Sequence, residues 1–350
     1  MFRRILIPLA VVAAIAASSR LAADVVWTPQ EGWKIEGGMI SNMNPTDARN
    51  ALGFMNKARA AEEKRHYRTA LRNYKKVTKR YSESVYGPVA FNRTARIRLL
   101  RRQYVKSFQA FQEIITRYPS TPMFTQVIGE QYRIACALLD GARSRGWLIF
   151  PGFRSRETAI GLFETIVINA PYSEYAPLSL MCAARGHQIL KSPAEAIDAL
   201  DRMINTYPKH VLTPTAYLQL GQSNAALVEG AYYDQSFTKE AITYFEDFVI
   251  LFPGDSNVGI AEKGLADMKQ VLADSKMKVG DYYLKYRKNY KAARVFYNEA
   301  ITDYPDSPIA AKARAQLTKV DALLAAQEKM AAAEASKPAP QKKKKRFFFF

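Results

Sequence analysis

The chain has 350 residues, 48% of them hydrophobic, and a formal net charge of +19 at pH 7. This length and apolar fraction exclude a disordered chain and allow either one large core or two ordinary domains. The charge favours an acidic partner, an anionic surface or simply solubility. The two cysteines, Cys136 and Cys182, are too few for a disulfide scaffold, and we expect two buried thiols.

The first 23 residues have the composition of a secretory signal. "MFRR" is basic, "ILIPLAVVAAIAA" is apolar, and "SSRLAA" supplies small residues for cleavage after Ala23. The apolar run is short for a membrane span, and no later segment approaches 18 uninterrupted apolar residues. We therefore expect export from the cytoplasm and a mature chain without a transmembrane helix.

Residues 24–46, with Trp27 and Trp33, are predicted to be an irregular lead-in, and residues 47–329 a repeat array. One pattern recurs in the array: a mostly small residue, then apolar or large residues one, four and seven positions later, then a pre-turn and a turn residue at eleven and twelve. The six copies are Ala70-Leu71-Tyr74-Val77-Tyr81-Ser82, Ser107-Phe108-Phe111-Ile114-Tyr118-Pro119, Ala159-Ile160-Phe163-Ile166-Ala170-Pro171, Ala196-Ile197-Leu200-Met203-Tyr207-Pro208, Ala241-Ile242-Phe245-Phe248-Phe252-Pro253 and Ala293-Arg294-Tyr297-Ala300-Tyr304-Pro305.

Steps of three and four residues place these side chains on one face of a helix. Proline then ends the helix, and the Ser, Asp or Thr that follows is expected to cap the next one. A second helical stretch, such as "GPVAFNRTARIRLLRRQ", lies between successive copies. A helix pair of roughly 34 residues with insertions is the tetratricopeptide period. The sequence therefore predicts an all-α tetratricopeptide-repeat superhelix of about five to six helix pairs, with a Gly- and Arg-rich insertion at 140–156.

A basic stripe is predicted on the first motif helix, opposite its apolar face. Either it is a solvated helix face, or it binds an anionic surface or an acidic partner. We see no nucleic-acid recognition module. The stripe consists of Arg65, Arg68, Arg72, Lys75, Lys76, Lys79 and Arg80.

Residues 330–350 are predicted to be a basic, Phe-ended disordered tail. Its alternatives are peripheral membrane attachment, through cations and inserting phenylalanines, or a likeness to the Phe-ended terminal signals of β-barrel proteins. The terminal run is Lys342, Lys343, Lys344, Lys345, Arg346, Phe347, Phe348, Phe349 and Phe350.

Catalysis is poorly supported by the sequence. The three histidines, His66, His187 and His210, are scattered and have no metal-binding spacing, and phosphate-loop and nucleophile-elbow motifs are absent from the sequence. We expect neither an enzyme nor a cofactor.

Three stretches together with the signal resemble the BamD family of outer-membrane assembly lipoproteins. They are "YRTALRNYKKVTKRYSES", "FQEIITRYPSTP" and "GDYYLKYRKNYKAARVFYNEAITDYPDSPIAAKARAQL", and the resemblance covers roughly residues 50–325. It implies tetratricopeptide repeats that bind the barrel insertase of the outer membrane and its unfolded β-barrel clients, on the periplasmic side.

The resemblance also implies a docking position in the turn before the last motif helix. Arg287 matches the family's insertase-contacting arginine, and Tyr282, Tyr283 and Tyr290 accompany it. One departure is that Asp24 follows Leu21-Ala22-Ala23 where the family carries an acylated cysteine. A different exported tetratricopeptide adaptor, for example one of peptidoglycan-linked machinery, therefore stays open beside the assembly role, as does the weaker alternative of an enzyme accessory subunit.

Overall fold

The computed structural model describes residues 24–36, 44–144 and 155–335. Within these ranges the chain forms 13 helices and one two-stranded sheet, which confirms the prediction of an all-α tetratricopeptide-repeat fold. The chain divides into two compact units, with the boundary between Lys191 and Ser192.

The elements of the first unit are β1 (Asp24–Thr28), β2 (Gly32–Glu36), α1 (Pro45–Glu63), α2 (Tyr67–Arg80), α3 (Tyr86–Leu100), α4 (Tyr104–Arg117), α5 (Phe124–Leu139), α6 (Arg156–Asn169) and α7 (Tyr175–Ile189). The elements of the second unit are α8 (Pro193–Thr206), α9 (Thr213–Ala226), α10 (Ser236–Leu251), α11 (Val258–Lys285), α12 (Tyr290–Asp303) and α13 (Pro308–Ala335). Within each unit, every helix packs against the next one along the chain.

The six predicted motif copies lie on the even-numbered helices α2 to α12. In all six, the small residue and the residues four and seven positions later are buried, as in Ala70, Tyr74 and Val77 of α2. Each of these helices ends where the motif predicts, because its C-cap is the pre-turn residue. The 3.6-residue period therefore determines both the buried face and the helix ends.

The aromatic side chains that lie four positions after the small residue of the motif pack against glycines of the neighbouring odd-numbered helices. A Cβ atom on Gly221 of α9 or on Gly264 of α11 would lie 2.6 Å from the ring of Phe245. A Cβ atom on Gly280 of α11 would lie 2.9 Å from the ring of Tyr297. The missing side chains give the large rings their room, so these helices approach closely.

The serine hydroxyls in the turns after the motif helices do not act chiefly as caps of the next helix, as the sequence predicts. Ser84, Ser173 and Ser307 each donate a hydrogen bond back to the carbonyl of the preceding pre-turn residue, at 2.6–2.8 Å. Among these three, Ser307 also caps the next helix, accepting from the amide of Ala310 at 3.0 Å. The hydroxyls thus chiefly satisfy carbonyls that the ended helix leaves without an intrahelical donor.

Several turns that lead into a motif helix contain a residue with positive φ. Arg65 and Arg102, which follow α1 and α3, have φ of 57° and 55°, and Gly141 after α5 has 91°. At these three ends, paired backbone hydrogen bonds of the Schellman type run back into the helix. Lys288, before α12, has φ of 50°. Cationic residues thus occupy left-handed positions that glycine usually fills.

The predicted irregular lead-in is wrong for residues 24–36, which form an antiparallel hairpin with Trp27 opposite Trp33. The hairpin is held by α1: the Trp33 amide donates to Asn56 Oδ1 at 2.9 Å, and the Arg59 guanidinium lies 4.2 Å from the centre of the Trp27 ring. Strands of five residues are too short for the alternation to stand out in the sequence, and the tertiary contacts with α1 stabilise them.

The helical array extends slightly beyond its predicted limits. Helix α1 begins at Pro45 rather than at residue 47, and α13 continues to Ala335 rather than ending at residue 329. The Ala-rich sequence at 331–335 favours this continuation. Of the predicted insertion at 140–156, residues 145–154 lie outside the described part of the chain, as does the predicted signal at 1–23.

A buried polar cluster joins α1, α2 and α3. The Tyr74 hydroxyl donates to Glu62 at 2.8 Å, and the same carboxylate pairs with Arg59 at 3.4 Å and Arg93 at 3.7 Å. Burial, and then the charge of Glu62, raise the pKa of Tyr74 above its ordinary value. The protonated tyrosine is therefore part of the folded state.

We expect Tyr74→Phe to lower the free energy of unfolding of the first unit by about 1–2 kcal/mol at pH 7.5, because one hydrogen bond to a charged acceptor is lost. Urea unfolding followed by tryptophan fluorescence measures it, since all three tryptophans precede residue 192. The matched control is Tyr81→Phe, whose ring stacks on Phe54; it should change stability by less than about 0.5 kcal/mol.

The hydrogen bond between Tyr74 and Glu62 also predicts that the stability of the first unit depends on pH. The folded pKa of Tyr74 is raised above the unfolded value, so its contribution is complete below about pH 10 and is lost as the pH rises further. The alkaline loss of stability should therefore be shallower in Tyr74→Phe than in the wild type. Equal alkaline slopes in both proteins would contradict the assignment.

A second stability prediction concerns the left-handed turns. Arg102→Gly should raise the free energy of unfolding by about 0.5–1 kcal/mol, because the steric cost of a left-handed side chain exceeds the entropic cost of glycine. Arg101→Gly is the control, since Arg101 has φ of −88°; it should lower stability. Urea unfolding measures the free energy of unfolding of both variants. A loss of stability in both would contradict the prediction.

Candidate functional site

A basic groove of about 680 Å³ lies on the first unit between α2, α3 and α4. Helix α2 contributes four cations, and α3 and α4 contribute one each. The lining residues are Arg68, Leu71, Arg72, Lys75, Thr78, Lys79, Phe91, Thr94, Arg98, Gln109, Ala110, Glu113 and Arg117.

The charge of the basic groove is strongly unbalanced. Its six cations face one carboxylate, Glu113, which pairs with Arg117 at 2.6 Å. The Arg117 guanidinium also lies 5.6 Å from the centre of the Phe91 ring. Arg98 is held by a hydrogen bond to the carbonyl of Lys106 at 2.9 Å, and burial lowers its pKa while leaving it charged. The groove thus offers carboxylate-binding cations beside an apolar wall.

The structure divides the predicted basic stripe. Arg68, Arg72, Lys75 and Lys79 line the basic groove, whereas Arg65 lies in the turn before α2 and outside the helical face assumed for it. The two remaining stripe residues do not line the groove. Lys76 lies 4.6 Å from the centre of the Phe54 ring, and Arg80 is the exposed last residue of α2. The sequence missed Arg98 and Arg117, because only the packing of α3 and α4 brings them to α2.

The second candidate is the α11–α12 turn, in which Arg287 is exposed. The Arg287 amide donates to the carbonyl of Tyr282 at 3.3 Å, and the Asn289 side chain caps α12 by accepting from Ala292 at 3.1 Å. Among the described residues, the Arg287 side chain makes no ion pair. Its charge is therefore available to a partner.

A shallow groove of about 460 Å³ adjoins this turn and is called the turn groove below. It has three cations and one acid among its walls. Its lining residues are Arg287, Lys288, Asn289, Tyr290, Lys291, Leu324, Gln327, Glu328 and Ala331.

The tyrosines predicted to accompany Arg287 have different surroundings. Tyr283 stacks on Phe296 with a centroid distance of 5.4 Å and packs, like Tyr290, against the core of the last repeat. Tyr282 is 49% exposed, so it is accessible to a partner. The sequence missed Tyr286, which is 78% exposed and lies 5.9 Å from Tyr282 between ring centroids. The pattern "YYLKYRKNY" contains this signal, since residues 282 and 286 are one helical turn apart.

The three histidines lie on different parts of the fold. His66 precedes α2, His187 is in α7 and His210 lies between α8 and α9. In the part of the chain that the structure describes, no group of three or more His, Cys, Asp or Glu side chains is arranged to hold a metal ion. No helix there is long and apolar enough to cross a membrane. The terminal run at residues 342–350, for which membrane attachment is one alternative, lies outside the described residues.

A family model described as an outer membrane lipoprotein, YfiO, matches residues 154–337, a little over half of the chain. The chain belongs to this family. The YfiO match spans α6 to α13 and includes the α11–α12 turn, whereas the predicted resemblance begins near residue 50. The basic groove lies outside the matched range.

Curated relatives of the chain carry the name outer membrane protein assembly factor BamD. The chain is 26% identical to the protein of Xylella fastidiosa (strain Temecula1) over 156 residues, which are 42% of this chain and 53% of that protein. It is 28% identical to the protein of Rickettsia prowazekii over 142 residues, 41% of this chain and 56% of the relative. The chain thus spans about half the length of the curated relatives it matches.

Solved tetratricopeptide-repeat structures also resemble the chain. One is a tetratricopeptide repeat protein from Parabacteroides merdae, at 11% identity over 78% of this chain and 99% of that one, with a TM-score of 0.30. Another is YrrB, titled a TPR protein with an unusual peptide-binding site, at 14% identity over 69% and 97%, with a TM-score of 0.29.

Proposed function

We infer that the protein is a non-enzymatic scaffold of the machinery that assembles outer-membrane β-barrel proteins. The observation that carries this inference is membership of the YfiO family over α6 to α13, with relatives named as assembly factors. In this role the protein works in the periplasm, at the inner face of the outer membrane. It binds the barrel insertase at one place and unfolded β-barrel clients at another.

The insertase is proposed to dock on the α11–α12 turn. Arginine and tyrosine are the residue types that most often dominate binding energy at protein interfaces. Here Arg287 is exposed without an ion-pair partner among the described residues, and Tyr282 and Tyr286 are exposed beside it. Tyr283 contributes by holding the turn against the core, and Tyr290 does so while also lining the turn groove.

Client segments are proposed to bind in the basic groove. An unfolded β-barrel client is an extended chain with carboxylates and apolar side chains. The cations on α2 donate hydrogen bonds to the carboxylates, while apolar side chains pack against Leu71 and Phe91. Because the cations are exposed, they chiefly accelerate encounter, and binding should weaken as salt rises.

The docking proposal predicts the outcome of a native pull-down from envelope extract. Tagged wild-type protein should recover the barrel insertase, and Arg287→Glu should reduce recovery at least tenfold, roughly 1.4 kcal/mol or more, because a cation at the interface centre becomes an anion. Lys312→Glu makes the same charge change at an exposed position of α13, about 18 Å along the helix from Leu324 of the turn groove.

The Lys312→Glu control should recover the insertase as the wild type does. Equal recovery with both variants would keep the complex and reject the α11–α12 turn as its docking site. Absence of the insertase from the wild-type sample would reject the assembly role itself.

The client proposal predicts the binding of a labelled, acidic, extended peptide from an outer-membrane β-barrel protein. Arg72→Glu with Lys75→Glu should weaken binding at least tenfold at low salt, since two groove cations become repulsive. The matched control is Lys57→Glu with Arg80→Glu. It lowers the net charge by the same amount, at exposed residues outside the groove. Fluorescence anisotropy measures both, and an equal loss in both double variants would show an effect of net charge alone.

A second candidate function is that of another exported tetratricopeptide adaptor of cell-envelope machinery, such as a peptidoglycan-linked system. It is favoured by Asp24, which stands where the resemblance expects an acylated cysteine. Recovery of other envelope proteins without the insertase in the same pull-down would select it.

A further inference from the structure

The two cysteines of the chain lie together although 45 residues separate them in the sequence. Cys136 is on α5 and Cys182 on α7, and both are half-buried. The Tyr132 hydroxyl lies 3.4 Å from Cys182 Sγ. Tyr132 precedes Cys136 by one turn of α5, so both thiols lie at the contact between α5 and α7. The prediction of two buried thiols is wrong in degree, because both side chains are only partly buried.

Contacts on both sides of the pair hold α5 and α7 side by side. Towards the beginning of the helices, Gly129 faces the Tyr175 ring, with 2.9 Å between a Cβ on the glycine and the tyrosine hydroxyl. Towards their ends, a Cβ on Gly186 would lie 3.2 Å from Leu139. Asp140 also pairs with Arg185 at 3.2 Å. The cysteines thus sit in the middle of a close, parallel contact.

This geometry is compatible with a covalent bond. Two helices packed with axes about 8–10 Å apart bring facing Cα atoms to roughly 4–6 Å, which is within the span of a disulfide. Because Tyr132, one turn from Cys136, already contacts Cys182 Sγ, bond formation should require side-chain rotation and little backbone movement.

The surroundings also distinguish the two thiols. The hydrogen bond from Cys136, then that from Tyr132 and the charge of Arg185, lower the pKa of Cys182, against the opposing effects of burial and of Asp140. Donating to Cys182, together with burial, raises the pKa of Cys136. The Tyr132 hydroxyl 3.4 Å from Cys182 Sγ, and Arg185 one turn further along α7, are placed to stabilise a thiolate at Cys182. This placement makes Cys182 the attacking thiol and Cys136 the thiol that follows.

We propose that Cys136 and Cys182 are a redox-active pair that forms a disulfide between α5 and α7 on reaction with a disulfide oxidant. The Cys182 thiolate attacks one sulfur of the oxidant, forms a mixed disulfide and releases the first oxidant thiolate. Cys136 then attacks Cys182 Sγ, the intramolecular bond forms, and the second oxidant thiolate leaves. The two cysteine protons end on the two released thiols, so two cysteines are oxidised and one disulfide is reduced.

The consequence is a covalent link between successive helix pairs of the first unit. Formation of the bond should raise the thermal unfolding midpoint of that unit by roughly 5–10 °C. This inference does not depend on the assembly role, because the tests below measure disulfide formation and thiol reactivity rather than binding of a partner.

The test uses the reduced, full-length protein and oxidised glutathione as the oxidant. Intact mass after acid quenching and alkylation should show a monomer that lacks two hydrogen atoms and takes up no alkylating reagent. A proteolytic fragment should join Cys136 to Cys182. A stable product that carries glutathione on both cysteines, a disulfide-linked dimer, or unreacted thiols would each overturn the proposal.

Single variants test the assigned order. Cys136→Ser should trap glutathione on Cys182, and Cys182→Ser should react at Cys136 at least roughly tenfold more slowly at neutral pH. Equal rates would overturn the assignment of Cys182 as the attacking thiol.

Tyr132→Phe provides a readout that a purely structural tyrosine would not change. Its ring still packs against Phe163 and Tyr175, but the hydrogen bond to the Cys182 thiolate is lost. The pH profile of Cys182 alkylation should therefore move to higher pH, and an unchanged profile would contradict the role given to the hydroxyl.

Discussion

The close approach of large rings to glycines is the constraint on which the rest of the structure depends. Phe245 has Gly221 on one side and Gly264 on the other, and Tyr297 lies against Gly280. A side chain at any of these glycines would displace the ring and separate two helices. Since each helix pair buries its apolar face against its neighbours, such a separation would weaken the packing of the adjacent pairs in the second unit.

The candidate site at the α11–α12 turn depends on this packing, because the packing fixes where the chain turns. Helices that pack so closely must end sharply, and the turns at Arg102 and Lys288 use left-handed residues to do so. These residues are cations, so the same turns that end the helices place positive charge at the ends of the pairs. Arg287 is exposed because its neighbour Lys288 takes the left-handed position while Tyr283 and Tyr290 face the core.

The sequence alone predicts what depends on local periodicity and misses what depends on distant packing. Helix ends such as Tyr81 and Phe252 could be placed from the motif, because the aromatic residue and the turn after it are local signals. The hairpin could not be placed, because contacts with α1 stabilise it. The basic groove needs Arg117 from two helices away, and Cys136 and Cys182 meet only because α5 and α7 are neighbours. No residue pattern encodes these distances directly.

The motif residue four positions after the small residue differs between the first and last of the six copies and the four between them. The inner copies have Phe or Leu there, whereas the first and sixth have Tyr74 and Tyr297. Each of these tyrosines donates to an acid of the preceding helix, Glu62 at 2.8 Å and Asp281 at 2.5 Å. Both rings are fully buried, so each hydroxyl needs a hydrogen-bond partner, and the acid of the preceding helix supplies it. The two copies that bear the proposed binding surfaces, α2 in the basic groove and the turn before α12, are therefore also the copies fastened internally by a tyrosine and a carboxylate.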